Sequence, residues 1–215
     1  MLMSKYWHVF LIKGVGYTLL LSAIAVLFGS VLGSFFALGK MSPIAPLRWI
    51  ITAIVEVVRG TPMLLQLYFG YFVLPLIIPA LNTSTFVCIS IVLVINSAAY
   101  VSEIIRSGIQ AVDKGQTEAS RSLGLNAATT MTEIVLPQAV KNILPALGNE
   151  FITVIKETSL ASNFFVGELM TSYLIVKGNT YLTLECLAIV GVIYFVLNFI
   201  LSKILAKVER GMKNA

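Results

Sequence analysis

Residues 14–39 read GVGYTLLLSAIAVLFGSVLGSFFALG and contain no charged side chain. A helix needs about 20 apolar residues to cross the hydrocarbon core of a bilayer, so this stretch predicts a membrane-spanning helix. Only 12% of the chain is charged and 58% is hydrophobic, whereas soluble domains carry about 25% charged residues. The composition therefore excludes an ordinary soluble domain and indicates an all-α integral membrane protein.

Two further apolar runs predict additional spans. Residues 60–102 carry no charge, and as one helix they would extend about 65 Å, twice the thickness of the hydrocarbon core. Pro75, Pro79 and Asn82 break this run, so two helices must share it. The last span is predicted around residues 180–202, because Cys186 to Ser202 are uncharged. Cys88 and Cys186 fall inside apolar segments, where a buried free thiol is expected.

Two more spans are predicted in spite of their charges. In the second, Glu56 and Arg59 are three residues apart and are expected to pair, and the sequence RGTP at 59–62 predicts a local break. The fourth contains four ionisable residues and two prolines, and Glu157 follows directly after it. Such a helix should line a protein interior or a water-filled cavity. Five spans are therefore predicted, at about 14–39, 46–74, 84–112, 128–156 and 180–207.

The distribution of basic residues predicts how the chain is oriented. Lysine and arginine follow the first and last spans and flank the segment 113–128, while the predicted connections near 75–85 and 171–180 carry at most one of them. Basic residues gather on the cytoplasmic side of membrane proteins. The C-terminus and the segment 113–128 are therefore expected inside, which requires an odd number of spans and an external N-terminus.

The cytoplasmic segment contains EASRSLGLNAATTMTEIVLPQA at 118–139. It predicts a short helix over about 117–125, with Thr117 as its N-cap and Gly124 at a left-handed C-terminal position. Asn126 can cap the next helix. Ala119 and Leu123 are four residues apart and share a face. Because so short a helix is not stable alone in water, it should dock on a cytoplasmic partner.

Four segments resemble a known family of transport proteins. Glu118-Ala119-Ser120, followed by Gly124 and by Ile134-x-Leu136-Pro137, resembles the EAA signature of ABC importer permeases, with serine in place of the second alanine. RGTP at 59–62, NSAAYVSEIIRSGI at 96–109 and GNEFITVIKETSL at 148–160 resemble the branch that transports polar amino acids such as histidine, glutamine and arginine. The resemblance implies the type I permease fold in the plasma membrane of a prokaryote.

This resemblance implies a coupling helix that inserts into a separate ATPase subunit. Its predicted contact residues are Glu118, Ala119, Ser120, Arg121, Leu123 and Gly124. The chain has no G-x-x-x-x-G-K-[ST] phosphate loop, so it is not expected to be an enzyme, to hold a metal or to bind a cofactor; ATP and Mg would bind to the partner. The other implied partners are a second permease chain, identical or homologous, and an extracytoplasmic amino-acid-binding protein.

Polar residues of the third and fourth spans are candidate substrate contacts. Asn96, Tyr100 and Glu103 follow helical spacing along one stripe, with Ser107 and Gln110 beyond them. Carboxylates can accept hydrogen bonds from the ammonium group of an amino acid, and hydroxyl and amide groups can donate to its carboxylate. The proposed substrate-binding residues are Asn96, Ser97, Tyr100, Glu103, Glu150 and Glu157. Three acidic residues favour arginine, histidine or lysine as substrate.

Other interpretations of these residues remain open. The polar stripe can serve interhelical hydrogen bonding alone, and Arg106 and Lys156 can neutralise the acids or act in gating. An ion- or proton-coupled amino acid carrier would use Glu103 and Glu150 as proton acceptors, although such carriers commonly contain internal repeats and none is visible here. A purely structural membrane subunit is the third possibility.

Overall fold

The computed structural model describes residues 2–213, and all the regular elements in that range are helical. Helix α1 runs over Met3–Lys40 and includes a π-helical stretch at His8–Gly14. The sequence has no proline before position 43, so nothing in it removes a backbone donor from this helix. Residues 14–39, predicted to span the membrane, lie entirely within α1.

The second predicted span is divided into two helices. Helices α2, Ala45–Gly60, and α3, Met63–Ile77, meet at an angle of 108°. Thr61 and Pro62 between them have extended backbones, with ψ of 146° and 134°. Proline supplies no backbone donor and disfavours the helical conformation of the residue before it, so the RGTP sequence ends α2 as predicted. We call this break the elbow.

Helix α4 is the central element of the bundle. A short 3-10 turn at Pro79–Thr83 leads into it, and it runs over Thr85–Gln110 with Ser84 as its N-cap. In its most apolar stretch 61% of the residues are buried, against 28% in α1 and 11% in the last helix. The short helix α5 follows at Lys114–Ser122.

The fourth predicted span extends further than expected. Helix α6 covers Ala127–Phe164, with a π-helical stretch at Thr130–Val135 and a 3-10 end at Thr158–Phe164. Left-handed backbone at Phe165 and Gly167, with φ of 52° and 96°, then turns the chain by 44° into α7, Leu169–Thr180. The sequence predicts a connection near 171–180, and α7 shows that this stretch is helical instead. Helix α8, Thr183–Lys213, ends the described chain.

The number of helices that could cross a membrane is compatible with the five predicted spans. Three helices, α1, α4 and α8, are long and apolar enough to cross a membrane, and up to five spans result if each bent pair counts as one. These three are the helices whose spans were predicted from apolar runs. The bent pairs α2–α3 and α6–α7 correspond to the two predicted spans that carry charge or proline.

Close packing between α1 and α4 forms the centre of the fold. A Cβ atom added to Gly29 would lie 2.9 Å from Cβ of Ser97, and one added to Gly33 would lie 2.7 Å from the carbonyl oxygen of Ala98. The two backbones therefore approach as closely as small residues permit. Residues from α1, α3, α4 and α6 complete one core around this seam, including Leu21, Leu67, Leu93 and Val154.

Candidate functional site

Helix α5 is held at both ends by side-chain and backbone caps. The carboxylate of Asp113 accepts a hydrogen bond from the backbone N–H of Gly115 at 2.6 Å. At the other end the N–H of Leu125 donates to the carbonyl of Ser120 at 3.1 Å, and Gly124 has a φ of 88°. This arrangement is a Schellman motif, in which a left-handed glycine ends the helix. The predicted conformation of Gly124 is confirmed.

The start of α5 differs from the prediction. Asp113 is the N-cap, so the helix begins at Lys114 and Thr117 lies inside it. The reason is that Asp113 already satisfies the first free N–H groups, and a cap at Thr117 would give up one turn of helix. The predicted cap of the following helix is correct, because Oδ1 of Asn126 accepts from the N–H of Thr129 at 2.9 Å.

The predicted contact residues of α5 are divided between two faces. Ser120 is buried, and its hydroxyl donates to the carbonyl of Gln116 at 2.6 Å. Ala119 is exposed, and Leu123 is 84% exposed although it is a large apolar residue. Glu118 and Arg121 are exposed as well. Arg121 donates to the carbonyl of Leu125 at 2.8 Å, and within the described residues it makes no ion pair with Glu118.

The elbow is tied to α4 through a single glutamine. Nε2 of Gln66 donates to the carbonyls of Val58 and Thr61, at 2.6 and 3.0 Å, and lies 2.9 Å from the hydroxyl oxygen of Thr61. Its Oε1 accepts from Nδ2 of Asn96 at 3.0 Å. The same side chain therefore satisfies carbonyls at the end of α2 and connects α3 to the predicted polar stripe.

A second polar contact lies between α4 and α6. The hydroxyl of Ser97 donates to Oε1 of Glu150 at 3.2 Å, and both side chains are buried. Glu150 and Glu157 lie on one unbroken helical stretch, Leu136–Glu157, and Glu157 is half-buried. Neither carboxylate forms an ion pair in the described part of the chain. Glu150 is therefore without an ion-pair partner among residues 2–213, whereas Glu157 interacts electrostatically with the neighbouring Lys156.

Glu103 is in a different situation from the other two acids. Its carboxylate pairs with Nζ of Lys40, at the end of α1, and with Nη2 of Arg106 at 2.7 Å. Nη1 of Arg106 donates in turn to Oε1 of Gln110 at 2.7 Å. These contacts neutralise Glu103 and join the ends of α1 and α4.

Arg59 contacts Tyr100 rather than its predicted partner. The guanidinium carbon of Arg59 lies 5.4 Å from the centroid of the Tyr100 ring, a distance suited to a cation–π contact. No ion pair joins Glu56 and Arg59 among residues 2–213, so the predicted pairing is wrong. Both residues lie in one helical turn at the end of α2, but Arg59 is directed towards α4.

Sequence reasoning did not identify three of the polar residues that organise this bundle. Gln66 and Lys40 are described above. The third, Glu168, is fully buried and caps α7, accepting from the N–H groups of Met170 and Thr171 at 2.6 Å each and from the Thr171 hydroxyl at 2.8 Å. The hydroxyl of Tyr194 on α8 lies 3.4 Å from it. For Gln66 and Glu168 the available signal was an amide or a carboxylate next to apolar residues, whereas Lys40 has no such signal and reads as a basic residue at the end of a span.

A polar cavity of about 840 Å³ lies beside the end of α4. Asp113, Lys141 and Glu209 line it together with residues of α4, α6 and α8. Within the described residues, no group of three or more His, Cys, Asp or Glu side chains is arranged to hold a metal ion.

The chain is similar to known transport proteins over nearly its whole length. It is 42% identical over 205 residues to the arginine transport system permease protein ArtQ of Bacillus subtilis, covering 95% of this chain and 93% of that protein. It is 40% identical over 203 residues to a putative glutamine transport system permease protein GlnP of Rickettsia bellii, covering 94% and 93%.

A solved structure of an amino acid ABC transporter with histidines matches the fold with a TM-score of 0.89 and 45% identity, covering 97% of this chain and 96% of that one. The inward-facing MetNI methionine ABC transporter matches with a TM-score of 0.78 at 19% identity, and at that identity the likeness concerns the fold alone. A family model covers residues 9–214. The chain belongs to the family described as binding-protein-dependent transport system inner membrane component.

Proposed function

We propose that this chain is the transmembrane permease subunit of an ATP-driven importer of polar amino acids, with a preference for basic ones. Its relatives are named as arginine and glutamine transport system permeases. In this family the ATPase is a separate subunit, and the family description names a binding protein as a further component. ATP and Mg would therefore bind to the partner chain, while the permease itself forms the path.

The observation that carries the proposal is the exposed apolar face of α5. Ala119 lies on a nine-residue helix that is capped at both ends, and Leu123 is its C-cap residue; both are exposed. Leu123 is 84% exposed, and covering such a side chain with a partner would contribute roughly 1.5–3 kcal/mol to binding. A groove on an ATPase subunit would cover this face, and the small side chain of Ala119 permits close backbone approach. We infer that Glu118 and Arg121 lie at the rim of that contact.

The path itself requires a second permease chain. We infer that a single bundle of up to five spans, with α4 as the most buried of its long apolar helices, does not enclose a path by itself. Two copies, or two homologous chains, around a two-fold axis would enclose the path between them. Closure of the ATPase subunits would then rotate the two bundles as rigid bodies. This mechanism places α5 in the cytoplasm of a prokaryote, with the N-terminus outside.

The acids differ in their suitability as substrate ligands. Glu150 is buried, carries no ion pair in the described chain and is bound by the Ser97 hydroxyl. It can accept from an ammonium or guanidinium group without losing an existing cation. Glu103 would first have to release Lys40 or Arg106. We therefore assign the main contact to Glu150 and Ser97. Asn96, Tyr100, Glu103 and Glu157 have supporting roles.

Reconstitution in liposomes tests this proposal. The permease is combined with its ATPase and binding protein, and uptake of arginine, histidine, lysine and glutamine is measured with ATP and with a proton gradient. We expect uptake only with ATP, and faster uptake of the basic amino acids. Uptake driven by the proton gradient alone would instead identify an ion-coupled carrier.

The coupling assignment needs a matched pair of variants. Glu118→Lys reverses a charge on α5, and Glu133→Lys makes the same change at an exposed position in α6. We expect Glu118→Lys to separate ATP hydrolysis from uptake while Glu133→Lys does not. Wild-type uptake and ATPase binding in Glu118→Lys would contradict the coupling role of α5.

A further inference from the structure

The last three turns of α8 have one face that packs against the bundle. Leu205 lies against Gly148 of α6, so closely that a Cβ atom at the glycine would displace a methyl group of Leu205. Glu209 and Met212 line the 840 Å³ cavity beside α4 and α6. The spacings of four and three residues place these side chains on a single helical stripe. This face of α8 is therefore occupied by the rest of the chain.

Three basic residues occupy the opposite face. Lys203, Lys207 and Arg210 are exposed, and they too are spaced by four and three residues. At about 100° per residue, their stripe lies roughly half a turn away from the packed face. None of the three forms an ion pair within residues 2–213, and Arg210 donates only to the carbonyl of Ala206, at 3.2 Å. We call these residues the basic stripe.

The basic stripe continues a surface that is suited to lipid. Phe195, Val196, Phe199 and Ile200 are 46–69% exposed and precede the stripe on the same side of α8. Nζ of Lys203 lies 5.2 Å from the centroid of the Phe199 ring. Residues 186–202 carry no charge, so Lys203 is the first cation beyond the apolar part of the helix. Lys207 and Arg210 follow about 6 and 10 Å further along the axis.

We propose that the basic stripe binds the headgroup phosphates of anionic phospholipids, in the leaflet at the C-terminal end of α8. The zone of lipid headgroups begins where the hydrocarbon core ends and is about 5–8 Å deep on each side of the bilayer. Lys203 and Lys207 fall within that depth along the helix axis, and Arg210 lies at its outer edge. The exposed apolar residues before the stripe provide the surface for the acyl chains. Both acidic residues of α8 lie elsewhere, since Glu185 is near its start and Glu209 is on the packed face.

Competition between two lipids tests this proposal on the purified permease. The protein is equilibrated in detergent with equal amounts of phosphatidylglycerol and phosphatidylcholine that carry the same acyl chains, and the retained lipids are quantified by native mass spectrometry. Each cation near an anionic headgroup contributes roughly a fivefold preference. We therefore expect the K203Q/K207Q/R210Q variant to lose at least about tenfold of the wild-type preference for phosphatidylglycerol.

Matched variants separate this site from a general effect of charge. K5Q/K13Q/K177Q removes three positive charges near the other end of the bundle and should keep the preference within twofold, whereas K203R/K207R should retain all of it. If the triple glutamine variant cannot be purified, K207Q and R210Q alone should each show a loss of several-fold.

Two outcomes would overturn the proposal. One is an unchanged lipid preference in K203Q/K207Q/R210Q, and if this variant also loses ATPase binding, the stripe belongs to a contact with a protein partner. The other is an equal loss of lipid preference in the K5Q/K13Q/K177Q control.

Discussion

Replacing Gln66 by methionine should destabilise the bundle by removing the link between the elbow and α4. Methionine keeps the length of the side chain but cannot replace the two donated N–H groups or the bond accepted from Asn96. Interhelical hydrogen bonds in membranes contribute about 0.6 kcal/mol each, which gives about 2 kcal/mol for three. A carbonyl left unpaired at the end of α2 adds about 1–3 kcal/mol. We expect the free energy of unfolding to fall by about 3–5 kcal/mol.

Titration of the purified protein from mild detergent into sodium dodecyl sulfate measures this change. A double-mutant cycle of Gln66→Met with Asn96→Leu isolates the bond between the two amides, and its coupling energy should be about 0.6–1.7 kcal/mol. Thr61→Val serves as the control, because it removes one hydroxyl and leaves the carbonyls in place. A coupling energy of zero, or equal effects of Gln66→Met and Thr61→Val, would refute the role assigned to Gln66.

Three further predictions concern other parts of the chain. Glu168→Ala removes three hydrogen bonds from the start of α7 and should lower the midpoint of thermal unfolding. Glu168→Gln keeps one acceptor oxygen and should lower the midpoint less. Equal midpoints in the two variants would argue against a role of Glu168 as the N-cap of α7. Asp113→Ala removes the N-cap of α5 and should cost about 1 kcal/mol, so amide hydrogen exchange in Lys114–Ser122 should become about fivefold faster while α4 is unchanged. Glu150→Gln should weaken binding of arginine at least tenfold, because a hydrogen bond to a charged group contributes about 1.5–3 kcal/mol. A calorimetric titration measures the dissociation constant, and equal values for the variant and the wild type would show that Glu150 is not part of the site.

The sequence predicted best what depends on neighbouring residues. Gly124 and Asn126 act within one turn of the chain, and both have the predicted roles. The elbow at Pro62 follows from the missing donor of proline. Local patterns were misleading where two candidates competed, as for Thr117 and Asp113, which both can cap the start of α5. They also failed for the predicted pair of Glu56 and Arg59 and for the connection near 171–180, which is helical.

Contacts between distant parts of the chain could not be predicted in this way. Lys40 and Glu103 are separated by 63 positions, and nothing near either residue indicates the other. The same holds for Gln66 and Asn96. Arg59 was predicted to pair with Glu56, three residues before it, but its guanidinium contacts the ring of Tyr100 on α4 instead. The polar side chains were recognisable as unusual in apolar segments, but their partners depend on the packing of the helices.

The seam between α1 and α4 limits how this sequence can change during evolution. Since a methyl group at Gly29 or Gly33 would overlap the backbone or side chains of α4, we expect homologues to keep glycine there, or to change both helices together. Leu27 and Phe28 on the outer side of α1 are more than 60% exposed and should vary freely among apolar residues. Residues a few positions apart on α1 would therefore differ widely in substitution rate. An alignment of many homologous sequences would show this difference.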